Sequence, residues 1–594
     1  MRKVLKFFFW SFAIIGFCVV SLVVVGGFAA VKLKERESFV ELPEQIVLGI
    51  DLNQPILEKS SENIFGDDEG ILIRDVVMAL ERAKKDHRVK GVIARMGGYP
   101  LGFGQAQEIA AAIRSFREAG KFTLVHSDDL GSYWNGTVEY IAAAAFDKIW
   151  LQRTGGLGLN GLALEMPFAK QALDEISITA EFEQRHEYKG GADPFTETSM
   201  PLPVRQNLGK LLQSWSSIVE QELVLSGRIE AGTIESVFDN GPYLAEDALE
   251  QGLIDAEGYW DEAKAAVFAR TASDAELVEP SEYLAGVAGE VPEDARKIAL
   301  VYGIGPITWD DGGGSIFDSE SFDPVSVADA LSEAREDPSI EAVVLRVVSP
   351  GGGYAPSDEV WRQVRLLRQA DKPVVVVMGD IAASGGYFVA MDGNRIFAPA
   401  GSITGSIGVY SGKFATEALW NRLGVNWEGI SIGRNAGMWS EVKPLDQSGW
   451  EKFAEGVDFV YRDFTSKVQK ARNLSDTEID QVARGRIWSG RDAVSAGLVD
   501  EEGGWLEAIA FARSEAGIGP EEPVRFVDLP VPPEPWEQIV ELLEDGDPFA
   551  AVSTMLVRRW IGSPTSREAV SLAERLTLLQ TSGQLQTPPF RLVR

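Results

Sequence analysis

The chain repeats one stretch of its own sequence: MALERAKKDHRVKGVIARM at residues 78–96 aligns without a gap with DALSEAREDPSIEAVVLRV at residues 329–347, an offset of 251. Farther along, DKIW at 147–150 matches NRIF at 394–397 with an offset of 247. The change of offset predicts a four-residue gap between the two matches. A repeat of this length predicts two copies of one fold in tandem.

Both copies alternate short apolar runs with amphipathic helix patterns. The runs VVLRVV at 343–348 and PVVVVM at 373–378 are rich in β-branched residues and apolar on both faces, which is typical of parallel strands covered by helices. The alternation predicts an α/β fold with right-handed crossovers. We place the copies at residues 46–290 and 296–515. Residues 516–594, a proline-rich linker followed by helical patterns, are assigned to neither copy.

The composition limits the functions open to this chain. Its 594 residues include 56 Lys and Arg against 89 Asp and Glu, a net charge of −33. The excess of carboxylates repels phosphate backbones and predicts no binding to nucleic acid. The single cysteine, Cys18, excludes a disulfide framework and a cysteine-ligated zinc site. Of the three histidines, His87, His126 and His186, none lies in an HExxH pattern, and we predict neither a metal nor another cofactor.

Residues 7–31 are the clearest membrane signal. These 25 residues carry no charge and are long enough to span a bilayer as a helix. The run is longer than the apolar part of a secretory signal, about 7–15 residues, and predicts an uncleaved signal anchor, although Ala29-Ala30 leaves cleavage open. Basic residues flank both ends almost equally. We predict that residues 1–6 are cytoplasmic and that the long acidic part is exported.

Two glycine-rich turns follow apolar strands of the second copy, SPGGG at 349–353 and AASGGY at 382–387. A serine between small residues at a strand-to-helix turn can expose its hydroxyl, and the amide after it lies at a helix N-terminus. The glycines of the first turn let a second backbone amide approach the same point. The turns therefore fit a nucleophile with an oxyanion hole, but such turns also bind phosphates or simply reverse the chain.

A serine nucleophile needs a base, and no histidine lies in the second copy. A lysine can serve if burial lowers its pKa from about 10.4 toward neutrality. The chain has many lysines. Lys189, in HEYKGGADPF, follows the β-branched and aromatic run at 176–183 and precedes two glycines, which places it at a strand end. Considered alone, such a lysine is usually a solvated surface residue.

The combined motifs resemble those of the long-form bacterial signal peptide peptidase A (SppA) family. They are AASGGY, the upstream SPGGG, TGSIGV at 404–409 and YKGGADPF at 188–195, on a duplicated chain with an N-terminal anchor. The resemblance covers residues 46–515 and implies a ClpP/crotonase-like fold in each half, preceded by one transmembrane helix. It also implies a serine protease that degrades apolar peptides, signal-peptide remnants among them. A homotetramer in the bacterial inner membrane, with most of the chain in the periplasm, is part of the same expectation.

The resemblance assigns roles to individual residues. Ser384 corresponds to the nucleophile of a Ser/Lys dyad, Lys189 to its general base, and Ser406 to the hydroxyl that holds the lysine in place. The amides expected to form the oxyanion hole are those of Gly385 and of Gly351 or Gly352.

The duplication bears on this assignment. At the 247 offset Ser384 falls opposite Thr137, so the first copy has lost the Ser-Gly-Gly turn. Arg434 lies roughly opposite Lys189, and arginine stays protonated and cannot act as the base. Each half keeps one member of the dyad, as expected if an ancestral enzyme built its site from two subunits. We predict that the site forms between the two halves of one chain.

Two other functions are compatible with the sequence. Crotonase folds also use glycine-rich oxyanion turns, so an acyl-CoA hydratase or isomerase is one alternative. Those enzymes usually need Glu or Asp beside the thioester, where this chain has a serine. A non-catalytic membrane scaffold that keeps the duplicated fold is the other alternative. The survival of both dyad members in complementary halves argues against it.

Overall fold

The computed structural model describes residues 41–60, 70–289, 291–309, 322–531, 584–586 and 591–592. The predicted cytoplasmic end and the predicted span at 7–31 lie outside these ranges. Among the helices that the structure describes, none is both long enough and apolar enough to cross a membrane.

The first half contains twelve strands and ten helices in the described ranges. The strands are β1 (Ile46–Asp51), β2 (Ile56–Leu57), β3 (Ile71–Leu72), β4 (Val89–Met96), β5 (Phe122–Ser127), β6 (Lys148–Leu151), β7 (Gly156–Leu157), β8 (Leu164–Glu165), β9 (Thr179–Gln184), β10 (Tyr243–Leu244), β11 (Ala256–Glu257) and β12 (Glu276–Val278). The helices are α1 (Ile73–Ala83), α2 (Phe103–Glu118), α3 (Thr137–Ala144), α4 (Lys170–Glu175), α5 (Asp193–Thr196), α6 (Leu202–Leu225), α7 (Ile234–Asn240), α8 (Ala245–Glu250), α9 (Trp260–Phe268) and α10 (Pro280–Ala288).

The second half and the segment after it are built in the same way. The strands are β13 (Arg296–Ile304), β14 (Ile340–Ser349), β15 (Gly351–Gly353), β16 (Val374–Ala383), β17 (Arg395–Ala398), β18 (Ile403–Gly405), β19 (Tyr410–Ala415), β20 (Ile487–Ser489), β21 (Glu501–Glu502), β22 (Val524–Leu529), β23 (Gln584–Gln586) and β24 (Arg591–Leu592). The helices are α11 (Pro324–Glu336), α12 (Tyr354–Gln369), α13 (Gly385–Ala390), α14 (Glu417–Arg422), α15 (Gln447–Ala471), α16 (Asp476–Val482), α17 (Gly490–Ser495) and α18 (Trp505–Glu515).

The two large sheets share one strand order. In the first half it is β12-β1-β4-β5-β6-β11, with every pair parallel. In the second half it is β22-β13-β14-β16-β17-β21, again all parallel. Strand β18 also pairs in parallel with β16, and β20 pairs antiparallel with β18. The prediction of two tandem α/β copies is therefore confirmed.

The strand registers reproduce the sequence offsets. Leu48 lies opposite Val92 in the first sheet, and Ala299 lies opposite Val343 in the second, so both members of the pair are shifted by 251. On the next strands, Leu124 opposite Lys148 corresponds to Val375 opposite Arg395, offsets of 251 and 247. The predicted four-residue gap thus lies between β5 and β6, in the connection where the second half carries Ser384.

The central strands are buried on both faces, as the apolar runs predict. Val344 and Val375 belong to a buried cluster that also contains Ile109 of α2, in the first half. Their neighbours Val343 and Val376 belong to a cluster inside the second half. Successive strand residues point to opposite faces, so one sheet contributes to both clusters. The halves therefore share a continuous apolar core.

Buried charges also join the halves. The guanidinium of Arg346 is fully buried and donates to Glu58 and to Glu108 of α2, each at 2.9 Å. On the neighbouring strand, Asp380 accepts the amide hydrogens of Gly104 and Gln105 at 2.7 and 3.1 Å, at the start of α2. Buried charges remain tolerable when they are paired in this way. The N-terminal end of α2 is thereby fixed against the second sheet.

The second sheet extends beyond its predicted limit at residue 515. Strand β22, after that limit, pairs in parallel with β13, in the position that β12 holds beside β1. The assignment of residues 516–594 to neither copy is therefore wrong for Val524–Leu529. The prediction of helices in this C-terminal part is also wrong for Gln584–Gln586 and Arg591–Leu592, which are strands.

Candidate active site

Ser384 lies at the turn between β16 and α13. Its φ of +57° is in the left-handed region, and its amide donates to Gly405 O at 2.8 Å. A strained residue between a strand and a helix is a hallmark of nucleophile turns. The next two residues have to be glycine, because a side chain at either position would collide with neighbouring atoms. A Cβ on Gly385 would lie 2.8 Å from Ser357 Oγ, and one on Gly386 would lie 2.7 Å from Ser349 O.

Lys189 reaches Ser384 because β9 crosses from the first half to the second. The strand pairs antiparallel with β19, from Gln184 opposite Tyr410 to Thr179 opposite Ala415. The chain leaving β9 therefore lies against the second half, and Lys189 is five residues farther on. This pairing places a first-half lysine beside a second-half serine.

The structure brings Lys189, Ser384 and Ser406 together. Lys189 Nζ lies 2.6 Å from Ser384 Oγ, 2.9 Å from Ser406 O and 3.0 Å from Ser406 Oγ. All three residues are fully buried. Ser406 also has a positive φ, +51°, and its amide donates to Arg486 O at 2.6 Å.

Burial lowers the pKa of Lys189 well below its ordinary value, because an ammonium group loses its hydration there. A neutral amine has two hydrogens and one lone pair. The two oxygens of Ser406 can accept both hydrogens, which turns the lone pair toward Ser384 Oγ. The arrangement can therefore take the proton of the Ser384 hydroxyl as that oxygen attacks a carbonyl.

The turn 351–353 offers one amide to an oxyanion. Gly351 N donates to Ser349 Oγ at 3.2 Å, and Gly353 N donates to Ile307 O at 2.7 Å. The amide between them, that of Gly352, lies 3.0 Å from the point where a Cβ of Gly385 would be. Of the two glycines left open by the sequence, Gly352 thus fits better than Gly351, whose amide is already used.

Two glycines that the sequence analysis missed make room for Lys189. A Cβ on Gly485, which has a φ of +83°, would lie 2.5 Å from the backbone nitrogen of Lys189. A Cβ on Gly408 would lie 3.1 Å from Lys189 Cδ. Gly408 lies inside the TGSIGV motif, two residues after Ser406. Its place in the motif could have identified it from the sequence. Gly485 lies far from every quoted motif in the sequence, and no local pattern marks it.

The positions that the duplication makes equivalent to Ser384 and Lys189 carry neither a serine nor a lysine. Helix α3 begins at Thr137 and α13 at Gly385, so the residue before each helix is Gly136 in the first half and Ser384 in the second. The predicted counterpart Thr137 is thus displaced by one residue. Helices α4 and α14 share the 247 offset, which places Ala436, two residues beyond Arg434, opposite Lys189. Neither Ala436 nor Arg434 can act as a base.

The ring contacts of His126 and His186 are with groups other than the dyad. His126 is buried, and its Nε2 lies 3.1 Å from Gly258 O in the first half. The ring of His186 packs against Tyr461. Within the described ranges, no group of His, Cys, Asp and Glu side chains is arranged to hold a metal ion.

Comparison with known proteins gives a consistent family. The model of "Peptidase family S49" matches residues 130–273 and 366–519. The chain is 30% identical over 461 residues to Protease 4 of Haemophilus influenzae, covering 74% of this chain and 72% of the relative. It is 30% identical over 465 residues to the chloroplastic serine protease SPPA of Arabidopsis thaliana, covering 76% and 67%.

A third relative extends the match over more of the chain. Protease 4 of Salmonella typhi is 27% identical over 561 residues, which cover 87% of each protein. Both matched segments of the family model include residues of the site, Lys189 in the first and Ser384 with Ser406 in the second. The chain belongs to peptidase family S49 and is a serine peptidase.

Proposed function

We propose that this chain is a membrane-anchored endopeptidase in which Ser384 attacks the peptide bond and Lys189 is the general base. The observation that carries the proposal is the 2.6 Å separation of Lys189 Nζ and Ser384 Oγ in a site where both side chains are fully buried. A buried lysine beside a hydroxyl has few structural reasons to be there, because burial of an amine is costly.

The proposed reaction has two stages. Lys189 takes the hydroxyl proton while Ser384 Oγ bonds to the carbonyl carbon, and the amides of Gly352 and Gly385 donate to the resulting oxyanion. The lysine then returns the proton to the leaving amine, which leaves an acyl-enzyme. Water, deprotonated by the same lysine, hydrolyses the ester and regenerates Ser384. Ser406 keeps the amine oriented through both of its oxygens.

The substrate class follows from the family resemblance and from the apolar segment at 7–31. An anchored peptidase meets apolar peptides at the membrane surface, and signal-peptide remnants are such peptides. We place the bulk of the chain in the periplasm, with residues 1–6 in the cytoplasm. Each half is proposed to have a ClpP/crotonase-like fold, in keeping with the shared strand order of the two sheets.

An exposed apolar segment supports a homo-oligomer. The first-half strand β9 docks on β19, and the 247 offset makes residues 426–431 its counterpart in the second half. This counterpart pairs with no strand in the part of the chain that the structure describes, and it exposes Trp427 and Ile430, with Ile432 just beyond it. By the symmetry of the duplication it would dock on a first half, beside β8, of another copy. Head-to-tail contacts of this kind close into rings, and the family resemblance suggests four chains.

The experiment is to replace Ser384 and follow both turnover and covalent labelling. Ser384→Ala should abolish hydrolysis of a fluorogenic leucine-rich peptide and remove labelling by a fluorophosphonate probe, while near-UV circular dichroism stays unchanged. Ser402→Ala is the matched control, because Ser402 is another fully buried serine of the same half, donating to Gly379 O at 2.5 Å. Labelling that persists in the Ser384→Ala chain would overturn the nucleophile assignment.

A further inference from the structure

The backbone around Gly485 lies between Lys189 and Ser406. Arg486 O accepts the amide hydrogen of Ser406 at 2.6 Å, and the amide of Gly485 donates to Ile407 O at 2.8 Å. A Cβ on Gly485 would lie 2.5 Å from Lys189 N. The stretch of chain that binds the Ser406 turn is therefore also in contact with the backbone of the lysine.

The side chain of Arg486 makes a second connection to the lysine. Its guanidinium carbon lies 4.1 Å from the centre of the Tyr188 ring, and Tyr188 directly precedes Lys189. A guanidinium at this distance is attracted to the face of the ring, and its flat shape lets the two groups stack. Arg486 thus binds Ser406 through its carbonyl oxygen and the neighbour of Lys189 through its side chain.

These two connections bear on the contact that orients the amine. The lone pair of Lys189 faces Ser384 while Ser406 O and Ser406 Oγ accept the amine hydrogens, at 2.9 and 3.0 Å. Lys189 and Ser406 come from different halves, so a small shift of one segment against the other would lengthen both bonds. Arg486 contacts both segments, and its two contacts fix their separation.

The duplication connects this arrangement with catalysis rather than with the fold. Helices α8 and α17 share an offset of 245, which places Gly241 opposite Arg486. The 247 offset of α4 and α14 places Asn435 opposite Tyr188. The positions equivalent to this pair therefore have neither a guanidinium nor an aromatic ring, just as the positions equivalent to the dyad have neither serine nor lysine.

We propose that Arg486 is a positioning residue for the general base, which stacks on Tyr188 and keeps Lys189 within hydrogen-bonding distance of Ser406. The inference rests on the proposed function in taking Lys189 as the base. Arg486 also donates to Asp480 O and Ala483 O, each at 3.2 Å. These bonds alone would give it a purely structural role at the end of α16, and the test has to separate the two roles.

The protonation of Lys189 distinguishes them, because it reports how completely the amine is shielded from water. Burial is the sole cause of its lowered pKa. When the side chain over Tyr188 is removed, water reaches the amine more easily, and hydration favours the ammonium form. The other titratable or charged groups on this segment and on the elements packed against it do not contribute to the shift; they are His186, Glu187, Asp193, Tyr461, Asp480 and Arg484.

The first measurement compares kcat in Arg486→Met and Tyr188→Leu. The first variant removes the guanidinium, and the second removes the ring while the bonds of Arg486 to the end of α16 remain. We expect each to lower kcat by about tenfold to a hundredfold with little change in KM, because the amine is displaced from the serine. Arg486→Lys should not restore the rate, because an ammonium group has no flat face to stack. Tyr188→Phe, which keeps the ring, should restore it.

Arg365→Met is the matched control. Its guanidinium also lies over a ring of the second half, 5.5 Å from the centre of Trp361, but on the exposed side of α12. This variant loses the same kind of contact and should keep the wild-type kcat.

The second measurement is the pH profile of kcat/KM. The rate requires the neutral amine, so a higher pKa of Lys189 moves the acid limb upward, by about one pH unit in Arg486→Met and Tyr188→Leu. An unchanged kcat, or a lower kcat with the limb at its wild-type position, would overturn the proposal. Lys189→Ala tests the proposed function separately. If that chain hydrolyses the peptide, the base assignment is wrong; if it is inactive while Arg486→Met is fully active, only the present inference is wrong.

Discussion

At the residue scale, the proposed mechanism depends on a lysine whose pKa is lowered well below its ordinary value by burial. Lys189 has no carboxylate among the causes of its shifted pKa, and burial alone lowers it. This distinguishes it from Lys413, another buried lysine, whose pKa is also lowered mainly by burial but which has Glu181 4.0 Å away. The difference is physical: a nearby carboxylate favours the charged form, and its absence leaves the amine free to act as a base.

The pH dependence of hydrolysis should report this lysine. Protonated Lys189 cannot accept the Ser384 proton, so kcat/KM should fall as the pH falls through the lowered pKa of Lys189 and should level off above it. The midpoint should lie well below the ordinary lysine value of 10.5. A variant with His87, His126 and His186 all replaced by Gln is the control and should keep the same acid limb. Loss of the limb in a folded triple variant would mean that a histidine is the base.

At the element scale, the loop around Lys189 depends on backbone space as much as on side chains. The β9–β19 pairing carries the lysine to the second half, and Gly485 lets the backbone pass. Ion pairs reinforce the approach, since Arg484 donates to Glu187 at 3.0 Å, two residues before the lysine.

Gly485→Ala should therefore lower kcat strongly. Its Cβ would lie 2.5 Å from Lys189 N, and displacement of the lysine by even 1 Å can reduce the rate by about a hundredfold. Gly517→Ala is the matched control, because Gly517 also has a positive φ, +65°, but no atom lies within 4 Å of its Cβ position. Both variants carry the same kind of backbone strain, so equal kcat values in the two would show that crowding at Lys189 is unimportant.

Much of the fold of each half can be predicted from the sequence, because the offsets 251 and 247 relate each residue of the first half to its equivalent in the second. They predict which strands correspond and where the four-residue gap falls, and the observed pairs of β1–β4 and β13–β14 obey them. The β9–β19 pairing and the burial of Arg346 between Glu58 and Glu108 could not be predicted in this way. Both are contacts between the two halves, and such contacts produce no recognisable pattern in the sequence of either copy. Strand β22 was missed because proline-rich sequence follows it directly.

At the scale of the whole molecule, one strand pairing of the first half has no equivalent in the second half among the described residues. The first half docks its β9 segment on the second, while the exposed counterpart of that segment at 426–431 has no equivalent pairing among the described residues. Ile430 and Ile432 are almost wholly exposed, which is costly in water.

Charges on this segment should therefore dissociate the proposed oligomer. Ile430→Glu combined with Ile432→Glu should reduce the mass measured by light scattering in detergent from that of an oligomer to that of one chain, 64.7 kDa. Val325→Glu is the control, because Val325 is an exposed apolar residue on a different element of the second half. An unchanged oligomeric mass in the double variant would place the interface elsewhere.

The central claim is that one chain supplies both Lys189 and Ser384. Its most direct test mixes Ser384→Ala chains with Lys189→Ala chains after joint unfolding and refolding, so that oligomers contain both. Wild-type chains refolded with an inactive Ser384→Ala, Lys189→Ala double variant show that refolding and exchange succeed.

The measured quantity is hydrolysis of the fluorogenic peptide by the mixture. Because Lys189 Nζ lies 2.6 Å from Ser384 Oγ of the same chain, every chain in the mixture lacks one partner, and we predict no activity at any ratio. Recovery of up to roughly a quarter of wild-type activity, the share expected if neighbouring chains in a ring complete each other's sites, would contradict the account.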